Sequence, residues 1–534
     1  MGLADERLAA IGRRVALATP HPLATAAGLA ASGRGGNAVD AAVAAAVSLA
    51  VVYPHMCSAG GDAIALVAYP DGTVECLDAS GAAGVRADAE ALRREHGTMP
   101  AVCPHAVTVP GAVSAWGVLT ERAARLQLAD LMRDAVEQAR DGVPIAPGVH
   151  RALLANEDLL GIDPGMRAVL FHDGRPLGAG ETLRQPALAA TLAEVAEGGW
   201  RSFYHGPAAR RLVAGLVSLG VPLEAADLAR HAPELTAPLR SRHGDREVLT
   251  APPSSQGLLL AEILAARERL PGRRLLGCDA GVLAEVFRLA SLDRDRFLAD
   301  PRHAQVPVAE LLSPAHAAEL AGAALDRAAA GAARPAALDG PGPSGDTVAV
   351  VAMDADGYAV SLIQSVFHAF GSGLLEPETG LVLHNRGACF SLDPASPNLL
   401  EPGKRPAHTL MPVLELERDE LVGAHGTMGG KVQPQIHTHL LLNLRDGDSP
   451  AASLAAPRWV VGRPTDAGAS ADPVYAEHSV PTEALRSIAA AGFEIVEVDD
   501  LSDEVGHGQL VRRGDTGELL AATDPRCDGL AAAR

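Results

Sequence analysis

The stretch that most constrains this chain is Val348-Ala-Val-Val-Ala-Met353. Positions 348, 350 and 352 are apolar, and so are 349, 351 and 353, so a strand here needs cover on both faces. Directly before it stands Gly345-Asp-Thr347, preceded by a loose Ala/Pro/Gly-rich segment, Gly331 to Ser344. Directly after it, Asp354-Ala-Asp-Gly357 turns the chain into Tyr358–Ser365, which completes a hairpin. A flexible, cleavable segment thus meets a buried strand at a threonine. That is the arrangement required when a nucleophile is a new N-terminus made by self-cleavage. The Thr347 hydroxyl attacks the Asp346 carbonyl, an ester forms, and its hydrolysis frees the Thr347 α-amine. That amine, with a reference pKa of about 7.7–8.0, can serve as general base for its own hydroxyl.

The 534 residues are enough for a large core, and 48% hydrophobic content argues against disorder. Aromatics make up only 3%, so aliphatic side chains and alanine must fill the interior. The formal charge of −20 disfavours nucleic acid and anionic membranes as partners. The polar start, Met-Gly-Leu-Ala-Asp-Glu-Arg, has no apolar signal core. The longest nearby apolar run, Ala41 to Val52, has 12 residues, short of the ~20 that span a bilayer. Six scattered cysteines form no CxxC pair, which favours a reduced, cytoplasmic location over a disulfide framework or zinc knuckle.

In chain order, Ala24–Ser32 and the run opened by Asn37-Ala-Val-Asp40 read as helices, with Asn37 as N-cap. Ala63–Tyr69 and Val74–Asp78 form a hairpin across Asp71-Gly72, and residues 105–300 read as mostly helical. Ala315–Ser344 is a low-complexity stretch. Gly380–His384, Pro412–Leu416 and Leu421–His425 read as strands. Thr427-Met-Gly-Gly430 leads into a helix with Ile436, Leu440 and Leu444 on one face, followed by a late helix at 482–491 and a strand at Glu494–Val498. Antiparallel strands flanked by helices predict an α+β layered sandwich.

Common catalytic motifs are missing: there is no GxSxG, no HExxH, and no GxGxxG between a strand and a helix. Gly429-Gly-Lys-Val432 fails as a phosphate loop, because His425 stands where the upstream glycine belongs and Val432 replaces Ser/Thr. His437 and His439, two apart on a helix, cannot share a face and read as solvated.

Several strings together resemble the γ-glutamyltranspeptidase family of N-terminal-nucleophile hydrolases. They are Gly345-Asp-Thr-Val, Asp354–Ser361, Phe370-Gly-Ser-Gly373, Pro402-Gly-Lys-Arg-Pro406 and Gly429-Gly430, preceded by His21–Thr25, Gly35–Ala42, Val109-Pro-Gly111, Leu292-Asp-Arg294 and Asp300-Pro301. The resemblance runs in order from about residue 15 to the C-terminus. It implies a four-layer αββα sandwich built from two autocleaved subunits, residues 1–346 and 347–534, with amide transfer or hydrolysis needing no metal or cofactor. The two subunits are each other's partners, and a homodimer of the pair is left open. By this register Thr347 is the nucleophile and Ser365 the second hydroxyl that bonds it. Gly429 and Gly430 supply the backbone N–H groups that hold the oxyanion, and glycines suit that role because they let the backbone approach closely. Read alone, Ser365 is a serine at a strand end and the glycine pair a turn.

The departures from the family concern the substrate. The arginine that clamps a γ-glutamyl carboxylate falls at Ser80, the aspartate for its amine at Cys389, a neighbouring glutamine at Arg386, an asparagine at Phe367, and a Ser-Ser pair at His408-Thr409. A γ-glutamyl head would leave its charges unpaired there, at several kcal/mol. Arg386, with Asn385, His408 and Thr409, suits a smaller carboxylated amide instead. Outside the family register, Arg386 is equally a surface loop arginine and His408 a satisfied buried histidine. The strings Gln364–Gly371, Asn385–Ser391, His408–Pro412, Ala456–Trp459 and Ala522–Arg526 resemble the oxamate amidohydrolase branch, which implies oxamate hydrolysis to oxalate and ammonia in purine (allantoin) catabolism. The alternatives are a γ-glutamyl hydrolase or transferase, an acylase with altered anchors, and an uncleaved binding homologue. Denaturing electrophoresis should show two bands, and N-terminal sequencing of the smaller should read Thr-Val-Ala-Val; a single full-length band would support the binding homologue.

Overall fold

The computed structural model describes residues 8–272, 274–331, 345–462 and 473–534. The doubly apolar strand forms as Gly345–Asp354 and lies inside a seven-stranded sheet. Its spatial order is Leu530–Ala533, Val15–Thr19, Gly345–Asp354, Ala359–His368, Asp62–Ala68, Val74–Asp78 and Glu234–Thr236, antiparallel throughout. A second antiparallel sheet runs Ala9–Gly12, Leu519–Thr523, His507–Arg513, Glu420–Met428, Val413–Glu417, Arg246–Thr250 and Leu239–His243. Both sheets draw strands from before and after Thr347, so the two stretches share one structure.

The two faces of the central strand enter two cores. Val348, Val350 and Ala352 pack with Val43, Val47 and Trp116 of the helices Ala38–Val52 and Ala112–Ala123. Ala349, Val351 and Met353 pack with Leu414, Ala424 and Val511 of the second sheet. Beyond that sheet lie the helices Gly257–Arg267 and Gln433–Arg445. The result is the expected αββα sandwich of the N-terminal-nucleophile hydrolases. Among the described residues, no helix is long and apolar enough to cross a membrane.

Local chemistry sets the joints. Asn37 Oδ1 accepts the Val39 and Asp40 N–H groups, and Asp40 Oδ2 accepts the Asn37 N–H at 2.7 Å, a reciprocal cap on the helix Ala38–Val52. The Asp354 carboxylate accepts the N–H groups of Asp356 and Tyr358 across its turn and that of Ala38, docking the hairpin onto that same helix. Near the C-terminus, Arg526 bridges Glu477 at 2.6 Å and Asp524 at 3.0 Å, while Arg458 reaches Asp524 at 3.0 Å. All four are buried, so the strings around 456–459 and 522–526 form an ion network inside the protein.

Three expectations change. The low-complexity stretch is helix over Pro314–Ala330, because alanine-rich sequence is a strong helix former and Ser313 caps it through the His316 N–H; the rest, 332–344, lies outside the described residues. The region 105–300 also holds the edge hairpin Leu239–His243 and Arg246–Thr250. Its charged outward residues hid the strand alternation. His437 and His439 are buried, not solvated, because their helix is covered on nearly every side. The late strand forms as expected, at Ile495–Val498, in a small third sheet with Val474–Glu477 and Trp459–Val461.

The sheets approach closely at Gly426, where a Cβ would lie 2.6 Å from Ala349 Cβ and 2.8 Å from Ile363 Cδ1. Gly426→Ala should therefore overpack the sheet interface and destabilise by about 1–3 kcal/mol, read as a lower unfolding midpoint in urea.

Candidate active site

Thr347 occupies an irregularity in its own strand. Asp346 pairs with Phe367 and Val348 with Gln364, and the register shifts between them. The threonine is 1% exposed, and its Oγ1 donates to Ser365 Oγ at 3.2 Å. Ser365 Oγ in turn donates to the Asp346 carbonyl oxygen at 2.6 Å and accepts the Phe367 N–H at 2.7 Å. One hydroxyl therefore touches both the attacking oxygen and the carbonyl on the far side of the Asp346–Thr347 peptide. It can polarise that carbonyl and relay the proton that Thr347 gives up.

The turn Gly429-Gly430 packs against the Thr347 strand. Both glycines have positive φ, 154° and 49°, and a Cβ on Gly429 would collide with Ile436. Gln256 Nε2 donates to Gly430 O at 2.8 Å and to Thr409 O at 2.9 Å, which ties the turn to the segment carrying His408 and Thr409.

Next to Ser365 lies a buried charge cluster centred on Asp62, which pairs in register with Ser365 on the adjacent strand. Its Oδ2 is 3.1 Å from His384 Nδ1, 3.3 Å from His408 Nε2 and 3.9 Å from Arg386 Nε, and its Oδ1 accepts the Gly81 N–H. Burial alone would raise the Asp62 carboxyl, but the charge and hydrogen bond of His384, and then the hydrogen bond of His408, hold it well below the usual carboxylate range. Burial, and then the Arg386 charge, push His408 down to about 4. Its Nδ1 accepts the Leu410 N–H, so the neutral ring points its Nε2–H at Asp62.

Arg386 is fully buried. Nη1 donates to Thr409 Oγ1 at 2.8 Å and reaches Cys389 Sγ at 3.8 Å, and the guanidinium lies 4.4 Å over the Phe367 ring. Among the described residues, its Nε and Nη2 have no hydrogen-bond partner. Phe367 carries a positive φ of 80°, unusual for a bulky residue, and His368 stacks on its ring. Asn385 is spent within the protein: its Oδ1 accepts the His368 N–H and its Nδ2 donates to Ala101 O.

The structure thus gathers Thr347, Ser365, Arg386, His408, Thr409 and Asn385 with the glycine turn. Arg386 is not a surface residue, and the donor expected of His408 is engaged by Asp62. Asp62 itself escaped the sequence reading; a carboxylate entering an apolar strand directly after Gly60-Gly61 was its only signal. Ser80, at the lost carboxylate clamp, bonds Asp78 Oδ1. A cleft of about 290 Å³ bounded by Val109, His231, Arg302 and Arg405 includes neither Thr347 nor Arg386, both of which are buried.

Known proteins resemble the whole chain. The family model described as Gamma-glutamyltranspeptidase matches residues 24–534. The chain belongs to the γ-glutamyltranspeptidase family. Among its relatives in that family is the oxamate amidohydrolase proenzyme of Klebsiella pneumoniae, 37% identical across 96% of this chain and 97% of the relative. A glutathione hydrolase-like proenzyme of Bacillus subtilis is 34% identical across 98% of each. Cephalosporin acylase from Bacillus halodurans superposes with a TM-score of 0.89 at 32% identity, covering 100% of this chain and 98% of that one. As a γ-glutamyltranspeptidase-family member the chain is a self-processing amidohydrolase.

The buried histidines give a test of the electrostatics. His368 and His408 are held at about 4, as is His507, and His437 at about 3, in each case chiefly by burial. In the unfolded chain they titrate near about 6.5. The folded pKa is the lower one, so this contribution to stability is complete above about pH 6.5 and is lost as pH falls towards 4. Urea unfolding midpoints should therefore drop steadily from pH 7 to pH 4.5; a flat profile would contradict the neutral assignment.

Proposed function

We propose that this γ-glutamyltranspeptidase-family enzyme cleaves itself between Asp346 and Thr347 and then hydrolyses a small carboxylated amide, oxamate, to oxalate and ammonia. The observation that carries the reading is Arg386. A buried guanidinium with Nε and Nη2 unpartnered, beside the nucleophile, is a receptor for a carboxylate. Cleavage would release Gly345 and Asp346 from the strand positions opposite His368 and Phe367, and that vacated space borders the Arg386–Phe367 stack. Oxamate carries its carboxylate directly beside the amide carbon, so anchoring one presents the other.

In this reading the Thr347 α-amine takes the hydroxyl proton as Oγ1 attacks the amide carbon. The oxyanion is held by the N–H groups of Gly429 and Gly430. Collapse breaks the C–N bond, the amine returns the proton to nitrogen, and ammonia leaves an oxalyl ester on Thr347. Water, activated by the same amine, releases oxalate and restores the enzyme. Ser365 bonds the nucleophile, Thr409 holds Arg386, and Asp62 with His408 and Asn385 fixes the surrounding frame. The likeness to the Klebsiella pneumoniae oxamate enzyme supports this substrate, and six free thiols fit a reducing cytoplasm.

A second reading, an acylase for a bulkier carboxylated amide, draws on the likeness to the Bacillus halodurans acylase. Side-by-side turnover of oxamate, a γ-glutamyl anilide and a cephalosporin-type amide separates them. Oxamate should be fastest, Thr347→Ala should abolish both cleavage and turnover, and Arg386→Met should lower kcat/KM for oxamate a hundred-fold or more, about 3 kcal/mol or above. Faster turnover of the anilide, or an Arg386→Met enzyme with unchanged oxamate kinetics, sinks the proposal.

A further inference from the structure

Far from Thr347 in sequence, three helices of the outer layer converge on an unexplained polar cluster. Glu262 comes from the helix Gly257–Arg267, Asp293 from Ala280–Phe297 and His316 from Pro314–Ala330. One ligand atom from each lies within 4.8 Å of the other two, and His316 Nε2 is 3.2 Å from Asp293 Oδ2. Glu262 is only 1% exposed, and neither of its carboxylate oxygens has a hydrogen-bond partner among the described residues. Around it the three helices bury apolar residues such as Ile263, Ala290 and Leu320. A carboxylate in that setting costs several kcal/mol when uncompensated, and a second carboxylate beside it adds repulsion.

The geometry points to a structural site for one divalent first-row transition ion, held by Glu262, Asp293 and His316. Two carboxylate oxygens and one imidazole nitrogen form a mixed donor set that such ions take, whereas Mg²⁺ and Ca²⁺ favour oxygen alone. Ligands at about 2.0–2.2 Å from one ion lie at most roughly 4.4 Å apart, so the three side chains need close by only a fraction of an ångström. Asp293 and His316 each retain about a fifth of their surface, and water on that side completes the coordination.

The position gives the ion a consequence. Gln256, the N-cap residue of the Glu262 helix, holds the carbonyls of Gly430 and Thr409. Arg294, next to Asp293, donates to the Lys431 carbonyl at 3.4 Å. Two of the clamped helices thus brace the Gly429-Gly430 turn, and an ion joining them fixes both braces without entering the reaction.

The test uses the whole processed enzyme, stripped with a chelator and titrated with Zn²⁺, and with Co²⁺ for its absorption bands. The site predicts one equivalent bound saturably, a cobalt spectrum with carboxylate and imidazole character, and an unfolding temperature that rises on metal addition. Glu262→Gln should abolish that equivalent. His316→Ala, at a partly exposed position that leaves the fold intact, should weaken it at least tenfold. Failure of the wild-type enzyme to bind either ion, or binding unchanged in His316→Ala, overturns the proposal.

Discussion

Burial of the Gly345–Asp354 strand on both faces is the constraint from which the remaining architecture follows. One face has to be covered by helices and the other by a second sheet, because a single layer leaves half of Val348–Met353 in water. Satisfying both gives the four layers. It also places Thr347 in a dry interior, 1% exposed, where its hydroxyl cannot rely on solvent. Every polar atom near it must find a partner inside the protein. Ser365 provides the first, and its own oxygen is shared with the Asp346 carbonyl and the Phe367 N–H.

The same dryness governs the charges next to Ser365. Asp62 stays ionised because His384, His408 and Arg386 surround it, and each of those is in turn held by a backbone group or a neighbouring hydroxyl. The cluster is not closed. Asp62 approaches only the Nε edge of Arg386, at 3.9 Å, and Thr409 uses one Nη1 donor. The guanidinium therefore retains hydrogen-bonding capacity where water is scarce, and this incomplete pairing distinguishes it from a closed ion network. The Arg458–Asp524–Arg526–Glu477 group shows the contrast: there each carboxylate meets an arginine at 3.0 Å or less.

Much of the site was legible because its signals are local. Thr347 stands at a composition boundary, the glycine pair needs positive φ, and Asn37 with Asp40 form a cap readable from four residues. The rest depends on partners far away in the chain. Asp62 lies about 300 residues from Ser365 yet beside it in the sheet, and no local pattern announces such a neighbour. His437 and His439 misled for a related reason. Helical spacing shows that two side chains point apart, but a helix enclosed on all sides buries both directions.

By itself, the sequence determined the two-faced strand, the hairpin after it, the threonine at its head and the balance of residues that had to enter an aliphatic core. These follow from periodicity and turn chemistry, which act over a few residues. Tertiary structure alone decided that Arg386 is buried with donors to spare, that the His408 Nε2–H is committed to Asp62, and that one serine touches both oxygens at the Asp346–Thr347 junction. Those are properties of distance and dielectric between segments hundreds of residues apart, and they come into being only when the sheets pair and water is excluded from between them.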